Sequence, residues 1–231
     1  MQSILITGSN RGLGLEWARQ FAASEWRVFA TCRHPAEAEA LHELARQHET
    51  LSIHRLDVAV PEDIRGLCWE LEGEPIDILL SNAGVYLEKG EAEFGSLCYH
   101  DWARTFEVNT MGTLRVSECL VDNVAKSQKR LIVAISSHMG SIADIQHPGS
   151  YYYRSSKAAL NAAMQGLAAK LESRGIGVLI LHPGGVKTRM GPRDGISAEE
   201  SVRGMRRLID RFELKKDTGR FLRYDGTVMP W

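Results

Sequence analysis

Short apolar runs recur along this chain, each separated from the next by a longer helical pattern. That alternation constrains the fold more than any single motif. Ile4–Ile6, Val28–Thr31, Leu51–Leu56, Ile76–Leu80, Leu131–Ser136 and Val178–Leu181 each read as a strand. Helices are expected over Gly12–Ala23, Ala36–Gln47, from Pro61 onward, over roughly Tyr99–Ala125 and over Tyr153–Ser173. Pro61 suits a first helical turn, where its missing N–H costs nothing. Strands this apolar must be covered on both faces, as in a parallel sheet flanked by helices. Right-handed crossovers then leave a doubly wound α/β sheet as the simplest topology. Toward the end, Pro183–Gly195 reads as a loop, Ser197–Phe212 as a charged helix and Gly219–Tyr224 as a short last strand. No linker, repeat or low-complexity stretch divides residues 1–231, so one domain is expected, with a small substrate-loop region around residues 189–215.

Composition narrows the classes of partner. The formal net charge is −1 and no basic block occurs, which argues against nucleic acid or another polyanion. Met1-Gln2-Ser3 leads straight into the first apolar run, with no basic leader and no small-residue cleavage site. The longest apolar runs are strand-sized, against about 20 residues for a membrane helix. A cytoplasmic protein with no membrane association is expected. The four cysteines, Cys32, Cys68, Cys98 and Cys119, are scattered with no C-x-x-C pair and read as reduced thiols. His100 and His147 have no metal-like partners nearby in sequence, so no metal is expected.

Between the first strand and the first helix lies Thr7-Gly8-Ser9-Asn10-Arg11-Gly12-Leu13-Gly14. Glycines let a backbone turn sharply and let a phosphate approach it closely. The helix start behind them offers unpaired N–H groups and a partial positive charge. The same loop would also serve as a bare strand–helix turn. A P-loop is excluded, because no Gly-Lys-Ser/Thr follows. The T-G-x-x-x-G-x-G spacing resembles the short-chain dehydrogenase/reductase family, in which it holds a nicotinamide dinucleotide. The resemblance implies a Rossmann fold, with residues Gly8 through Gly14 around the cofactor.

The second strand ends in Thr31-Cys32-Arg33, without the carboxylate that would bind an NAD ribose. Arg33 is placed to meet a 2′-phosphate, joined by Arg11, and both positions match those of NADP-preferring family members. NADP(H) is therefore expected in preference to NAD(H). By the same resemblance Asp57 and Val58 flank the adenine, and Asn82-Ala83-Gly84 lies beside the cofactor. Ser81 stands where many members have a second asparagine.

Of three successive tyrosines only Tyr153 has a lysine four residues on, Lys157, and such a pair shares one helix face. A free phenol has a pKa of about 10, and a neighbouring cation lowers it. Lys157, together with a bound cofactor's positive nicotinamide, is thus expected to bias Tyr153 toward ionisation, and the resemblance places Tyr153 and Lys157 against the cofactor too, with Lys157 anchoring the nicotinamide ribose. Ser136 and Ser137 end the fifth strand, on the side of a parallel sheet where ligands sit. The resemblance makes Ser137 the substrate-orienting hydroxyl and Ser136 structural. It makes Asn109 the holder of a water that links Lys157 to solvent. It also assigns the nicotinamide carboxamide to Pro183, Gly184, Val186 and Thr188. His138, Tyr86 and Met190 read as pocket lining or packing.

The motifs run in order from Thr7 to Thr188, and the pattern looks closest to small carbonyl-reductase and C-factor-like members. A small-molecule carbonyl or alcohol substrate is implied, with hydride transfer at the nicotinamide and proton transfer at Tyr153. A dinucleotide-sensing or signalling protein of the same fold is the alternative. Small residues across Ser155–Ala169 permit close helix approach, and the family resemblance, in which the two long helices near here often form a dimer interface, implies a homodimer or homotetramer.

Overall fold

Every apolar run becomes a strand of one sheet. In the computed structural model of the chain, which describes residues 1–88 and 94–231, the strands are β1 (Ser3–Ile6), β2 (Arg27–Cys32), β3 (Leu51–Arg55), β4 (Ile78–Ser81), β5 (Leu131–Ile135), β6 (Gly177–His182) and β7 (Phe221–Arg223). They pair in the order β3-β2-β1-β4-β5-β6-β7, and every neighbouring pair is parallel. The order reverses at β1, whose neighbours are β2 and β4. In an open parallel sheet the crevice beyond such a reversal is where ligands bind.

Among the described residues the helices are α1 (Gly12–Ala22), α2 (Glu39–Gln47), α3 (Pro61–Glu70), α4 (Tyr99–Phe106), α5 (Gly112–Ala125), α6 (Tyr151–Leu171), α7 (Ala198–Asp210) and the short α8 (Leu214–Asp217). Two apolar cores form, one on each sheet face. One gathers Trp17 and Phe21 of α1, Leu41 of α2 and Met205 and Ile209 of α7. The other gathers Ile64 of α3, Leu120 of α5 and Leu160 and Met164 of α6. This is a doubly wound Rossmann fold. The sequence dictates each buried face: in α1 the buried positions are 14, 17, 18, 21 and 22, one stripe of an amphipathic helix. In α7 the Ser197 hydroxyl accepts the Glu200 N–H, two glutamates occupy the first turn and Arg207 the last. Cap and charges both favour that start and that end.

The expected helix over Ala36–Gln47 is broken. A 3₁₀ turn over Pro35–Glu37 closes first, with the Ala38 N–H donating to the Pro35 carbonyl, and α2 starts only at Glu39. Ala38 leaves the helical region there and enters the core. The long helix expected near Tyr99–Ala125 is continuous, but Glu107–Met111 forms a π-helical turn between α4 and α5. α6 begins two residues early, so all three tyrosines lie on it.

The expectation of four reduced thiols is corrected at two of them. α3 and α5 pack side by side on one face of the sheet. This brings Cys68 and Cys119 together as a disulfide with Cα atoms 6.2 Å apart, a normal span for such a bridge. Sequence spacing carries no trace of that contact between helices. Cys32 and Cys98 are free. Among the described residues no helix is long and apolar enough to cross a membrane.

Candidate active site

At the C-terminal ends of β1 and β4 the chain builds a brace before it builds a site. The Thr7 hydroxyl accepts the N–H groups of Asn82 and Ala83 at 3.0 and 2.9 Å. In return the Asn82 side-chain amide donates to the Thr7 and Gly8 carbonyls at 3.0 and 3.1 Å. Gly8 has φ +70°, and a Cβ there would come 3.1 Å from the Ala83 Cα. Gly14 lets α1 cross the loop: a Cβ on it would lie 2.0 Å from the Gly8 carbonyl oxygen. Ser9 is fully buried, donating its N–H to the Thr31 carbonyl at 2.8 Å and its hydroxyl to the Ile6 carbonyl at 2.8 Å. Its contribution is to the shape of the loop.

Asn10, Arg11 and Arg33 are exposed beside that loop and at the end of β2. Helix α1 starts at Gly12, its N-cap position Arg11 giving no side-chain cap, and has no acidic residue in its first turn. An uncapped helix start behind a left-handed glycine loop suits an anionic ligand. Asp57 accepts the Ala59 N–H at 2.9 Å, and its own N–H donates to Asp63 at 2.9 Å. Val58 is buried against Gly112, where a Cβ would come 2.8 Å from its side chain. Beyond β6, Thr188 stands over the loop: its Cγ2 is 3.6 Å from where a Gly12 Cβ would be. The Thr188 hydroxyl accepts the Gly191 N–H at 3.1 Å. The Pro183 carbonyl accepts the Ser201 hydroxyl. Val186 is buried and bridges Ile196, Gly184 turns with φ +81°, and Met190 is exposed.

The hydroxyl and amine groups converge one strand over. Tyr153, nearly buried, is hydrogen-bonded to the Ser137 side chain, and Ser137 Oγ accepts the Met139 N–H at 3.2 Å. Tyr152 instead stacks on Trp102 at 5.2 Å, and Tyr151 faces Phe94. Their helical phase separates three neighbouring tyrosines into three environments. Ser136 donates to Asn161 Oδ1 at 2.6 Å in the interior, a structural bond that leaves Ser137 at the site. Lys157 is buried and donates to the Ile135 carbonyl at 2.8 Å. Asn109 sits in the π-helical turn with no exposed surface. Its Oδ1 accepts the Val85 N–H at 2.8 Å, and its Nδ2 donates to the Val85 carbonyl at 2.9 Å and to Ser156 Oγ at 3.0 Å. Gly84 leaves open the space between them: a Cβ there would be 3.3 Å from Asn109 Oδ1 and 3.8 Å from Lys157 Nζ.

Within the chain alone, burial governs both members of the pair. Burial pushes the Tyr153 phenol up to about 12, against the opposing pull of the Ser137 hydrogen bond. Burial pushes Lys157 down to about 8. The ammonium lies 5.8 Å from the Tyr153 ring centroid and is engaged by the Ile135 carbonyl, so it does not bring the phenol down in the protein alone. Nearby, burial pushes His182 down to about 3, its ring 5.1 Å from that of His138.

Four residues contribute in ways the motifs did not assign, Tyr86 having been legible only as lining or packing. Thr7 braces two strands, Val85 meets Asn109, Tyr86 stacks on the Tyr153 ring at 4.5 Å, and Glu88 accepts the Tyr153 N–H at 2.6 Å. Thr7 lay within the glycine motif, and Ser156, which meets Asn109, lies one helical turn from Tyr153. Nothing in the sequence separates Glu88 from other loop carboxylates.

Comparison with known proteins agrees with this architecture. Residues 2–196 match the family model described as short chain dehydrogenase, and the chain belongs to that family. It is 40% identical over 158 residues to the C-signal of Myxococcus xanthus, an alignment covering 68% of this chain and 93% of that protein. Its fold superposes on an NADPH-bound carbonyl reductase from chicken fatty liver with a TM-score of 0.91 and 32% identity, covering 100% and 99% of the two chains. The carbonyl reductase Sniffer of D. melanogaster gives a TM-score of 0.91 and 31% identity, covering both chains completely. The chain is thus an oxidoreductase of the short-chain dehydrogenase type.

Proposed function

We propose that this protein is an NADP-dependent carbonyl reductase in which Tyr153 donates the proton. The observation that carries the reading is the convergence of Asn109, Ser137, Tyr153 and Lys157 beside the uncapped start of α1. Gly8, Asn10, Arg11, Gly12, Leu13 and Gly14 would hold the dinucleotide phosphates, with Ser9 shaping the loop. Arg33 and Arg11 would meet a 2′-phosphate, and Asp57 and Val58 the adenine. Asn82, Ala83 and Gly84 would flank the cofactor, and Pro183, Gly184, Val186 and Thr188 the carboxamide. Bound there, the nicotinamide supplies the hydride that reduces a carbonyl carbon.

The chain's own groups supply the rest. Ser137 holds the carbonyl oxygen and Tyr153 protonates it, a contribution of about 10²–10⁴-fold. Lys157 and Asn109 organise the floor beneath them and the route by which the phenol regains its proton. The test is NADPH oxidation across a panel of aldehydes, ketones and quinones. Turnover is expected, and Tyr153→Phe should remove it while leaving NADPH affinity nearly unchanged; a fully active variant would reject Tyr153 as the acid.

The cofactor preference has its own test. Arg33→Ala removes an exposed cation at the end of β2. Charge-assisted bonds of roughly 1.5–3 kcal/mol imply about 10- to 100-fold weaker NADPH binding with little change for NADH. Equal losses for both would reject the preference. The likeness to the C-signal supports a second reading, a signalling protein for which turnover is incidental. Tight NADPH binding without turnover on any panel member would favour it.

A further inference from the structure

Helix α6, which carries Tyr153 and Lys157, starts without a cap of its own. Its N-cap residue, Ser150, is in the left-handed region at φ 53°, and its side chain caps nothing. That hydroxyl bonds the Tyr86 phenol instead. A helix start normally takes an acceptor at its second or third N–H. Here the third N–H, that of Tyr153, donates 2.6 Å to Glu88 Oε1, from a residue 65 positions earlier in the chain. Glu88 is 4% exposed, and its second oxygen, Oε2, is buried without a partner among the described residues. A buried carboxylate with an idle oxygen is a costly cap. A serine or threonine hydroxyl would satisfy the same N–H without burying a charge.

What a carboxylate adds over a hydroxyl cap is an acidic group fixed at the backbone of Tyr153, the acid of the reaction. The groups facing Tyr153 come from every side of the site. Tyr86 stacks on its ring from the loop after β4, and Glu88 bonds its backbone from that same loop. Ser137 meets the phenol from the end of β5. Lys157, on its own helix, is turned to the Ile135 carbonyl. Arg154 and His138, next along the chain from Tyr153 and Ser137, interact with each other. Both Glu88 and Tyr86 oppose ionisation of the phenol, in the same direction as its burial.

We propose that Glu88 is a positioning residue: it caps the catalytic helix at Tyr153 and, through its fixed charge, keeps that phenol a proton donor, poising the site for carbonyl reduction over alcohol oxidation. The inference rests on the reductase reading above. Reduction needs the phenol protonated, to give its proton to the oxygen as hydride reaches the carbonyl carbon. Oxidation needs the phenolate, to take the hydroxyl proton as hydride leaves. A negative charge beside the ring favours the first state and disfavours the second.

The test places 3-fluorotyrosine at position 153 and follows the fluorine resonance against pH, with native Glu88, with Glu88→Gln and with Glu88→Ala. Glutamine keeps an acceptor for the Tyr153 N–H and removes the charge. Its ionisation midpoint is expected to fall by about half a unit or more, with the thermal midpoint nearly unchanged. Alanine loses both cap and charge, so both midpoints fall. A purely structural cap would leave the fluorine midpoint of Glu88→Gln where it was, and that result overturns the proposal even if Glu88→Ala fails to fold. In the active enzyme, the pH at which alcohol oxidation reaches half its alkaline plateau should move down with Glu88→Gln. Absence of turnover by the native chain would count against the reductase reading alone, because the fluorine readout needs no catalysis.

Discussion

Lys157 shows most directly how this site trades stability for chemistry. Its ammonium is buried, with the Ile135 carbonyl as its hydrogen-bond acceptor, and burial holds its pKa near 8 against an ordinary 10.5. The folded value lies below the unfolded one, so the cost of burying the charge is full below about 8. It is relieved as pH rises from there toward 10.5. Lys157→Met keeps the length and removes the charge. At pH 7 it should stabilise the protein by about 1–3 kcal/mol, roughly 2–10 °C in Tm, while abolishing turnover. That advantage should narrow above pH 8. A variant that is less stable at pH 7 would mean that the bond to Ile135 outweighs desolvation. Tyr153 shows why a residue-level motif reading stops short. The four-residue spacing to Lys157 is visible in sequence, and the shared helix face follows from it. The direction of the shift is not visible, because it depends on how deeply the ring is buried and on a carboxylate from a distant loop.

At the scale of elements, what local pattern controls could be read and what contact between elements controls could not. β1, the glycine loop and α1 follow from an apolar run, glycines and a stripe of core positions. The π-helical turn inside the predicted long helix does not, because it is held by the Asn109 side chain gripping both backbone groups of Val85. The break before α2 and the meeting of Cys68 with Cys119 are also tertiary events. The glycine loop yields a sharp prediction at this scale. α1 can leave the loop at its observed angle because Gly14 has no Cβ; one added there would lie 2.0 Å from the Gly8 carbonyl and 2.7 Å from Asn82 Nδ2. Both neighbours are fixed by the Thr7–Asn82 brace, so α1 itself must shift. Overpacking of this kind costs about 1–3 kcal/mol. Gly14→Ala should therefore weaken NADPH binding at least about 10-fold, since a 1 Å misplacement is enough to disturb a positioned site. Unchanged affinity in isothermal titration would show that the loop absorbs the methyl without moving α1.

For the whole molecule, the fold class was legible because parallel strands leave few alternatives. Six apolar runs separated by helices, with right-handed crossovers, point to a doubly wound parallel sheet, and the strands form one, though their order was not legible in the sequence. Contacts between copies of a chain would leave a fainter mark. α6 turns one side to the second core through Leu160, Met164 and Ala168. Its opposite side exposes Ala162, Gly166 and Ala169, and a Cβ added at Gly166 would meet nothing within 4 Å among the described residues. Residues 162, 166 and 169 share a helix face, and small side chains there let a second helix approach closely. The homodimer expected from the sequence would pair this face with its copy about a two-fold axis, the commonest symmetry for a soluble homo-oligomer. Light scattering at micromolar concentration should then return about twice the 25.8 kDa of the chain. Gly166→Arg places a long charged side chain where the two helices would meet. Because a Cβ there meets nothing within 4 Å among the described residues, the fold should tolerate it. The variant is expected to scatter as a monomer with its thermal midpoint for the isolated chain little changed. A native protein that already scatters at 25.8 kDa would reject the dimer, and a Gly166→Arg variant that remains dimeric would move the interface to another face.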